Sequence, residues 1–302
     1  GVKVDGVTYD NGGSGANDIL YAEGYKDNEV QTTATDWAEQ EDGSYTRTVT
    51  RKCNYCGYEE ETTEIDWNVS KSIIAAACLN TKDHYSYLIC YSDGTVRPNG
   101  RITRAEVATI FFRLLTDDVR DENLTKTNRY SDVTRADWYN TAVSTLSSMG
   151  IITGYPDGTF RPNAPITRAE FAAMIARFDE TAKSADTPFT DISGHWAENA
   201  IGKAYGNGWV EGSSKTVFCP ESNLTRAETA TLLNRVLHRL PEKKSDLLAN
   251  QIAWPDNPET FWGYLAIQEA TNSHEYERKA DGVHETQTAK RENRDWSKEF
   301  EQ

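Results

Sequence analysis

Three arginines stand in one repeated setting. Arg104 lies in Ile102-Thr103-Arg104-Ala105-Glu106, Arg168 in Ile166-Thr167-Arg168-Ala169-Glu170 and Arg226 in Leu224-Thr225-Arg226-Ala227-Glu228. A guanidinium is a planar fork of donors that fits a carboxylate bidentately. At the first position of a helix, however, the macrodipole disfavours a cation by up to about 1 kcal/mol. A cation placed there three times calls for an anion, from the protein or from a ligand. Ahead of the first two copies stand Tyr91, Asp93 and Arg97, then Tyr155, Asp157 and Arg161. Trp138, Trp196 and Trp262 recur in a second setting. This inventory suits binding rather than bond-breaking chemistry.

The elements that position these groups are legible. Thr-x-x-Glu before an apolar run is a capping box. Helical spacing follows each one: Val107, Ile110, Phe111 and Leu114; Phe171, Met174, Ile175 and Phe178; Leu232, Leu233 and Val236. Upstream, Tyr155-Pro156-Asp157-Gly158-Thr159 is a turn, because Pro presets φ, Asp bonds its own backbone and Gly supplies positive φ. Cys90 to Pro98 is a close copy, whereas Gly212 to Pro220 lacks both the Asp-Gly pair and the Arg before Pro. Earlier still comes a first helix. After Trp138 the face is Ala142, Val143 and Leu146, and after Trp196 it is Ala200, Ile201 and Ala204. The unit is helix, turn, capped helix.

Copy one has no first helix directly before it. Near the C-terminus, Trp262 with Ala266, Ile267 and Ala270 repeats that face, with no turn or box after it. We read the first repeat as split: residues 84–115 are completed by 254–272, repeat two covers 130–178 and repeat three 189–238. Such repeats cannot bury their faces alone, and closure removes an exposed end.

These strings resemble the S-layer homology (SLH) domain. Phe189-x-Asp191-Ile192-x-x-His195-Trp196-Ala197 is similar to its first helix, Gly154 to Pro162 to its loop, and Ile166 to Glu170 to the start of its second helix. The resemblance implies a mostly α fold, with three helix-loop-helix repeats in a pseudo-threefold bundle that has grooves between neighbours. It also implies non-covalent anchoring to a secondary cell wall polysaccharide, often through ketal-linked pyruvate on a terminal sugar. The loop Asp, the box Arg and nearby aromatics would line the grooves. Departures accompany it: only His195 supplies the His of the His-Trp pair, and the third turn is eroded, so two functional grooves of three are expected.

Composition narrows the partners. The 302 residues carry a net charge of −15, which argues against nucleic acid, since phosphate neutralisation needs a basic face. A few arginines in a groove can still reverse the local field toward a small anion. No apolar run approaches the ~18 residues of a membrane span, so no membrane insertion is expected. Gly1 begins the chain without an initiator Met or a signal peptide, which fits a processed or truncated protein. Residues 1–70 read as a small β-rich segment with Cys53-x-x-Cys56 at a turn between strands. Zinc there lacks a second ligand pair, and a local disulfide or two free thiols fit better. Residues 275–302 read as a charged tail, a solvated helix or disorder, with Trp296 and Phe300 docking a little. The triple-repeat domain takes 71–274.

Each candidate has two readings. Arg104, Arg168 and Arg226 either pair with neighbouring carboxylates or grip a ligand carboxylate, and both can hold. For Trp138, Trp196 and Trp262 core packing is the default, with sugar stacking the rival. Tyr91 and Tyr155, on loops, are better placed for ligand. Asp93 and Asp157 are turn formers first. The turns lack the alternating ligands of a calcium loop, and no reacting constellation stands out, so no metal, no cofactor and no enzyme activity are expected. The expected glycan-binding set is Tyr91, Asp93, Arg97, Arg104, Trp138, Tyr155, Asp157, Arg161, Arg168, Trp196, Arg226 and Trp262. The expected role is anchoring of a surface protein at the outside of a bacterial cell wall; the alternative is a structural module that self-associates in a surface layer without binding glycan.

Overall fold

The computed structural model describes residues 2–4, 7–9, 30–35, 38–39, 45–53, 59–66, 78–179 and 183–296. The chain divides into two units, Gly1–Ile73 and Ile74–Gln302. In the first, β1 (Val2–Val4) pairs antiparallel with β2 (Val7–Tyr9). A separate sheet centres on β5 (Tyr45–Cys53), flanked by β3 (Val30–Ala34), the short β4 (Ala38–Glu39) and β6 (Glu59–Asp66). Alternating Thr and charged residues suit this small sheet. The antiparallel register sets Arg51 opposite Glu60 and Arg47 opposite Glu64. Cys56 lies outside the described residues, so the Cys-x-x-Cys expectation is not addressed.

The second unit is mostly helical. Its helices are α1 (Arg104–Leu114), α2 (Asp117–Asn123), α3 (Asn140–Ser148), α4 (Arg168–Ala176), α5 (Glu198–Gly206), α6 (Arg226–Val236) and α7 (Tyr264–Thr271). All three capping boxes form. Glu106, Glu170 and Glu228 backbone N–H groups each donate to their Thr hydroxyl at 3.2 Å, and each Glu carboxylate accepts from the Thr N–H at 2.8–2.9 Å. Four initial N–H groups of a helix lack internal partners, and the box satisfies two reciprocally.

Each capped helix packs on the first helix of the next stretch: α1 on α3, α4 on α5, α6 on α7. The apolar stripes close one core, with Phe111 stacked against Phe171 at 5.8 Å and tilted on Phe178 at 5.2 Å. The residues before the boxes bond in a closed circuit. Ile102 N–H donates to Leu224 O, Leu224 N–H to Ile166 O, and Ile166 N–H to Ile102 O, at 3.0–3.1 Å. Residues 254–272 come back to copy one, where Tyr87 and Leu88 N–H both reach Ala270 O at 3.0 Å.

The C-terminal stretch corrects the tail expectation. β7 (His274–Arg278) and β8 (Glu285–Lys290) form an antiparallel hairpin, and Trp296 is buried. No apolar alternation announces these strands because their inward positions are themselves polar: His274, Glu285 and Gln287. Phe300 lies outside the described residues.

Candidate binding grooves

Each turn is clasped by an aspartate from the preceding first-helix stretch. Asp132 accepts from Phe160 and Arg161 N–H at 2.7 and 2.8 Å, Asp191 from Phe218 and Cys219 N–H at 2.8 and 2.7 Å, and Asp256 from Val96 and Arg97 N–H at 3.0 and 2.6 Å. The clasp holds Arg97, Arg161 and Cys219 at φ of 49°, 58° and 60°, a left-handed conformation that non-glycine residues adopt only when surroundings impose it. Asp256 is the counterpart of Asp132 and Asp191, so the C-terminal segment does for copy one what the local segment does for the others.

Inside the first two turns the candidate carboxylates are already engaged. Asp93 accepts from Thr95 N–H and Oγ1–H and pairs with Arg97 at 2.7 Å; Asp157 does the same with Thr159 and Arg161, the latter at 2.9 Å. These bonds, the Thr hydroxyl first and Arg next, hold both carboxyls down at about 2. Arg97 and Arg161 lie over the rings of Tyr91 and Tyr155, each 3.8 Å from the centroid. These four side chains therefore brace the tyrosines from the outer side of the turn.

The box arginines run from one copy to the next. Arg104 Nε donates to Phe160 O (2.8 Å), Nη2 to Thr153 O (3.1 Å) and Nη1 to Glu170 Oε1 (2.8 Å). Arg226 repeats this onto Val96 O, Ile89 O and Glu106 Oε1 at 2.7, 2.6 and 3.2 Å. Arg168 bonds Phe218 O and Glu211 O at 2.8 and 2.6 Å. Arg104 and Arg226 are only 3% and 2% exposed. The carboxylate-pairing reading of these two arginines is thus what the geometry holds, and each partner is the capping Glu of the adjoining box.

Two grooves open over these pairs. The first, of about 670 Å³, is lined by Arg104 from copy one, Tyr155, Glu170 and Arg177 from copy two, and Trp196 and Glu221 from copy three. The second, of about 280 Å³, is lined by Arg226 from copy three, Tyr91, Glu106 and Arg113 from copy one, and Trp138 from copy two. Tyr155 and Tyr91 hydroxyls donate to Glu170 and Glu106, so arginine, glutamate and tyrosine form one chain of bonds at each floor. Burial raises both phenols, reinforced by the adjacent glutamate. Arg168 has no such tyrosine: Ser213 stands where Tyr155 and Tyr91 do.

The tryptophans correct the core-packing default. Trp138, Trp196 and Trp262 are 59%, 63% and 63% exposed. Each sits two residues before its helix begins, off the buried stripe. Sequence reasoning missed Arg113, Arg177 and Arg235, although each falls nine residues after a box arginine. Burial lowers the Arg113 guanidinium to about 10 and also lowers Arg177.

The S-layer homology domain matches this chain at residues 91–108, 129–172 and 188–230. The chain is an S-layer homology domain protein. Among relatives, "Cell surface glycoprotein 1" of Acetivibrio thermocellus is 34% identical over 206 residues, 64% of this chain and 9% of that protein. The "Cellulosome-anchoring protein" of the same organism is 33% identical over 208 residues, 67% of this chain and 45% of its own length. An "Amylopullulanase" of Thermoanaerobacterium thermosulfurigenes is 36% identical over 157 residues, 49% of this chain and 8% of that enzyme. The chain thus spans less than half of each relative. No helix among the described residues is long and apolar enough to cross a membrane.

Proposed function

We propose that this chain is a non-catalytic anchoring module that holds a bacterial surface protein on an anionic secondary cell wall polysaccharide, outside the cell. Three SLH repeats, 84–115 with 254–272, 130–178 and 189–238, make a pseudo-threefold bundle; the closed backbone circuit through Ile102, Ile166 and Leu224 supports that reading. The observation that carries the function is the build of the two grooves. Each brings a buried arginine, a loop tyrosine and an exposed tryptophan from three different repeats onto one surface. An exposed indole beside a cationic floor suits a sugar with an acidic substituent, its apolar face on the ring and its carboxylate toward guanidinium.

The grooves are unequal. The second sets Arg226 and Arg113 against Glu106 alone, an excess of one positive charge, whereas the first sets Arg104 and Arg177 against Glu170 and Glu221. The second is the better site for an anionic group such as ketal-linked pyruvate. Asp93, Arg97, Asp157 and Arg161 contribute by holding the tyrosines; Trp262 and Arg168 occupy the matching repeat positions and would make the weakest site, since Ser213 replaces the tyrosine there. Names of relatives that speak of anchoring and of the cell surface support this assignment.

Depletion of the chain from solution by purified cell wall polymer tests the proposal. Wild-type protein pellets with the polymer, and Trp138→Ala with Trp196→Ala in one chain releases it, with unchanged melting because both indoles are exposed. Equal pelleting of the double variant contradicts the groove assignment. Sheets or filaments that form without polymer, and no depletion, favour a self-assembly role instead.

A further inference from the structure

Away from the grooves, four ionisable side chains are buried together. His84, Glu269, His274 and Glu285 converge from the start of copy one, the end of α7 and the starts of β7 and β8. All four side chains are fully enclosed, at 0% exposure. Glu269 Oε1, Glu285 Oε1 and Glu285 Oε2 accept no hydrogen bond. Burying carboxylates unpaired costs several kcal/mol each unless a cation or donors compensate.

The spacing says which cation. His84 Nδ1 lies 3.1 Å from His274 Nε2 and 3.5 Å from both Glu269 Oε1 and Glu285 Oε1, while His274 Nε2 lies 3.1 Å from Glu269 Oε1. All four donor atoms lie within 4.8 Å of one another. A tetrahedral ion with bonds of about 2.0–2.2 Å sets its ligand atoms about 3.3–3.6 Å apart. Two imidazole nitrogens and two carboxylate oxygens in that arrangement suit Zn²⁺.

The surroundings are those of a ligand set. His274 Nδ1 donates to the Asn272 carbonyl at 2.8 Å, which fixes the tautomer with Nε2 as a free lone pair. Gln287 Nε2 donates to Glu269 Oε2 at 2.9 Å and leaves Oε1 facing the cluster. His84 is held by its ring stacked on Tyr276 at 3.8 Å. Arg278 Nη1 is 3.2 Å from Glu285 Oε2, on the side away from the cluster's Oε1. That guanidinium offsets one carboxylate; the buried Arg239 adds a second positive charge near Glu269 and Glu285 but spends Nη1 and Nη2 on the Tyr85, Asn80 and Asp83 carbonyls, so Glu269 Oε1, Glu285 Oε1 and the two ring nitrogens are left facing one another.

The geometry points to a structural Zn²⁺ site formed by His84, Glu269, His274 and Glu285. Four protein ligands close such a site to substrate, so its role is a staple. It joins His84 to residues nearly two hundred positions later, on the same ends of the chain that meet in the split repeat. The sequence reading assigns no metal here because the four ligands share no local motif.

The test uses the full chain with Cys53→Ser and Cys56→Ser, so that those thiols do not compete. After chelator treatment, Co²⁺ is titrated in, then Zn²⁺. The expected result is one equivalent of Co²⁺ with the visible bands of tetrahedral coordination and no thiolate charge-transfer band, displaced by Zn²⁺, and a melting temperature that rises with metal. Gln287→Ala, outside the ligand set, weakens binding by roughly 10- to 100-fold. His274→Ala, checked for folding by circular dichroism, takes up none. Absence of a stoichiometric tetrahedral spectrum in the parent overturns the proposal, as does uptake undiminished in folded His274→Ala. Should that variant not fold, the parent spectrum and Gln287→Ala decide.

Discussion

At the scale of single residues, one side chain rarely serves one purpose here. Asp157 shapes its turn, holds Arg161 and through it steadies Tyr155. Its carboxyl sits at about 2, below the ordinary 3.8, because the Thr159 hydroxyl and Arg161 favour the charged form. The lowered value means the turn gains stability from ionised Asp157 above pH 3.8 and loses that gain as pH falls through about 2. A carboxyl-detected NMR titration gives a midpoint near 2 in the native chain, and Arg161→Ala moves it upward; a midpoint at the ordinary value in the native chain contradicts the bonding of Asp157 to Thr159 and Arg161. The box arginines were legible as cations at the wrong end of a helix, and the capping glutamate of the next box resolves that anomaly. What the sequence did not convey was that Trp138, Trp196 and Trp262 precede their helices rather than begin the buried face. Spacing of i+4, i+5 and i+8 from a tryptophan fits a helical stripe equally well whether the helix starts at that residue or two residues later.

At the scale of elements, the turn is held so closely that a single methyl group disturbs it. A Cβ on Gly154 would stand 2.4 Å from Tyr130 Cε1 and 2.5 Å from the Thr159 carbonyl oxygen, and the second of these is backbone that cannot swing away. Gly154→Ala therefore lowers stability by about 1–3 kcal/mol, the usual range for overpacking. Thermal or denaturant unfolding measures it, and an unchanged midpoint argues that the turn is looser than described. Cys90 occupies the matching place in copy one, where the clasping segment comes from the far end of the chain. Helices and turns of the repeats were readable because their apolar period and caps are local. The hairpin of β7 and β8 was not, because strands are recognised by apolar alternation, and here the inward side is built from His, Glu and Gln. Those same buried polar positions supply two of the four ligands of the proposed Zn²⁺ site, His274 and Glu285, and Gln287 supports a third.

At the scale of the whole second unit, the grooves exist only because different repeats meet. Arg104 and Trp196, or Arg226 and Trp138, are far apart along the chain, and no local pattern places them on one surface. The sequence suggests a split first repeat, from an orphan first helix near the C-terminus, and in the structure Asp256 of that stretch accepts from the turn of copy one. On the proposed reading, an acidic chain with one net-positive groove and one balanced groove would bind an anionic polymer weakly at each and gain from engaging two at once on one strand. Indole N–H resonances of the intact chain, followed while a soluble fragment of the wall polysaccharide is added, test this most directly. Anchoring through the grooves predicts that Trp138 and Trp196 shift in saturable fashion while the buried Trp209 stays fixed. Saturable binding that leaves both of those indoles unmoved would contradict it.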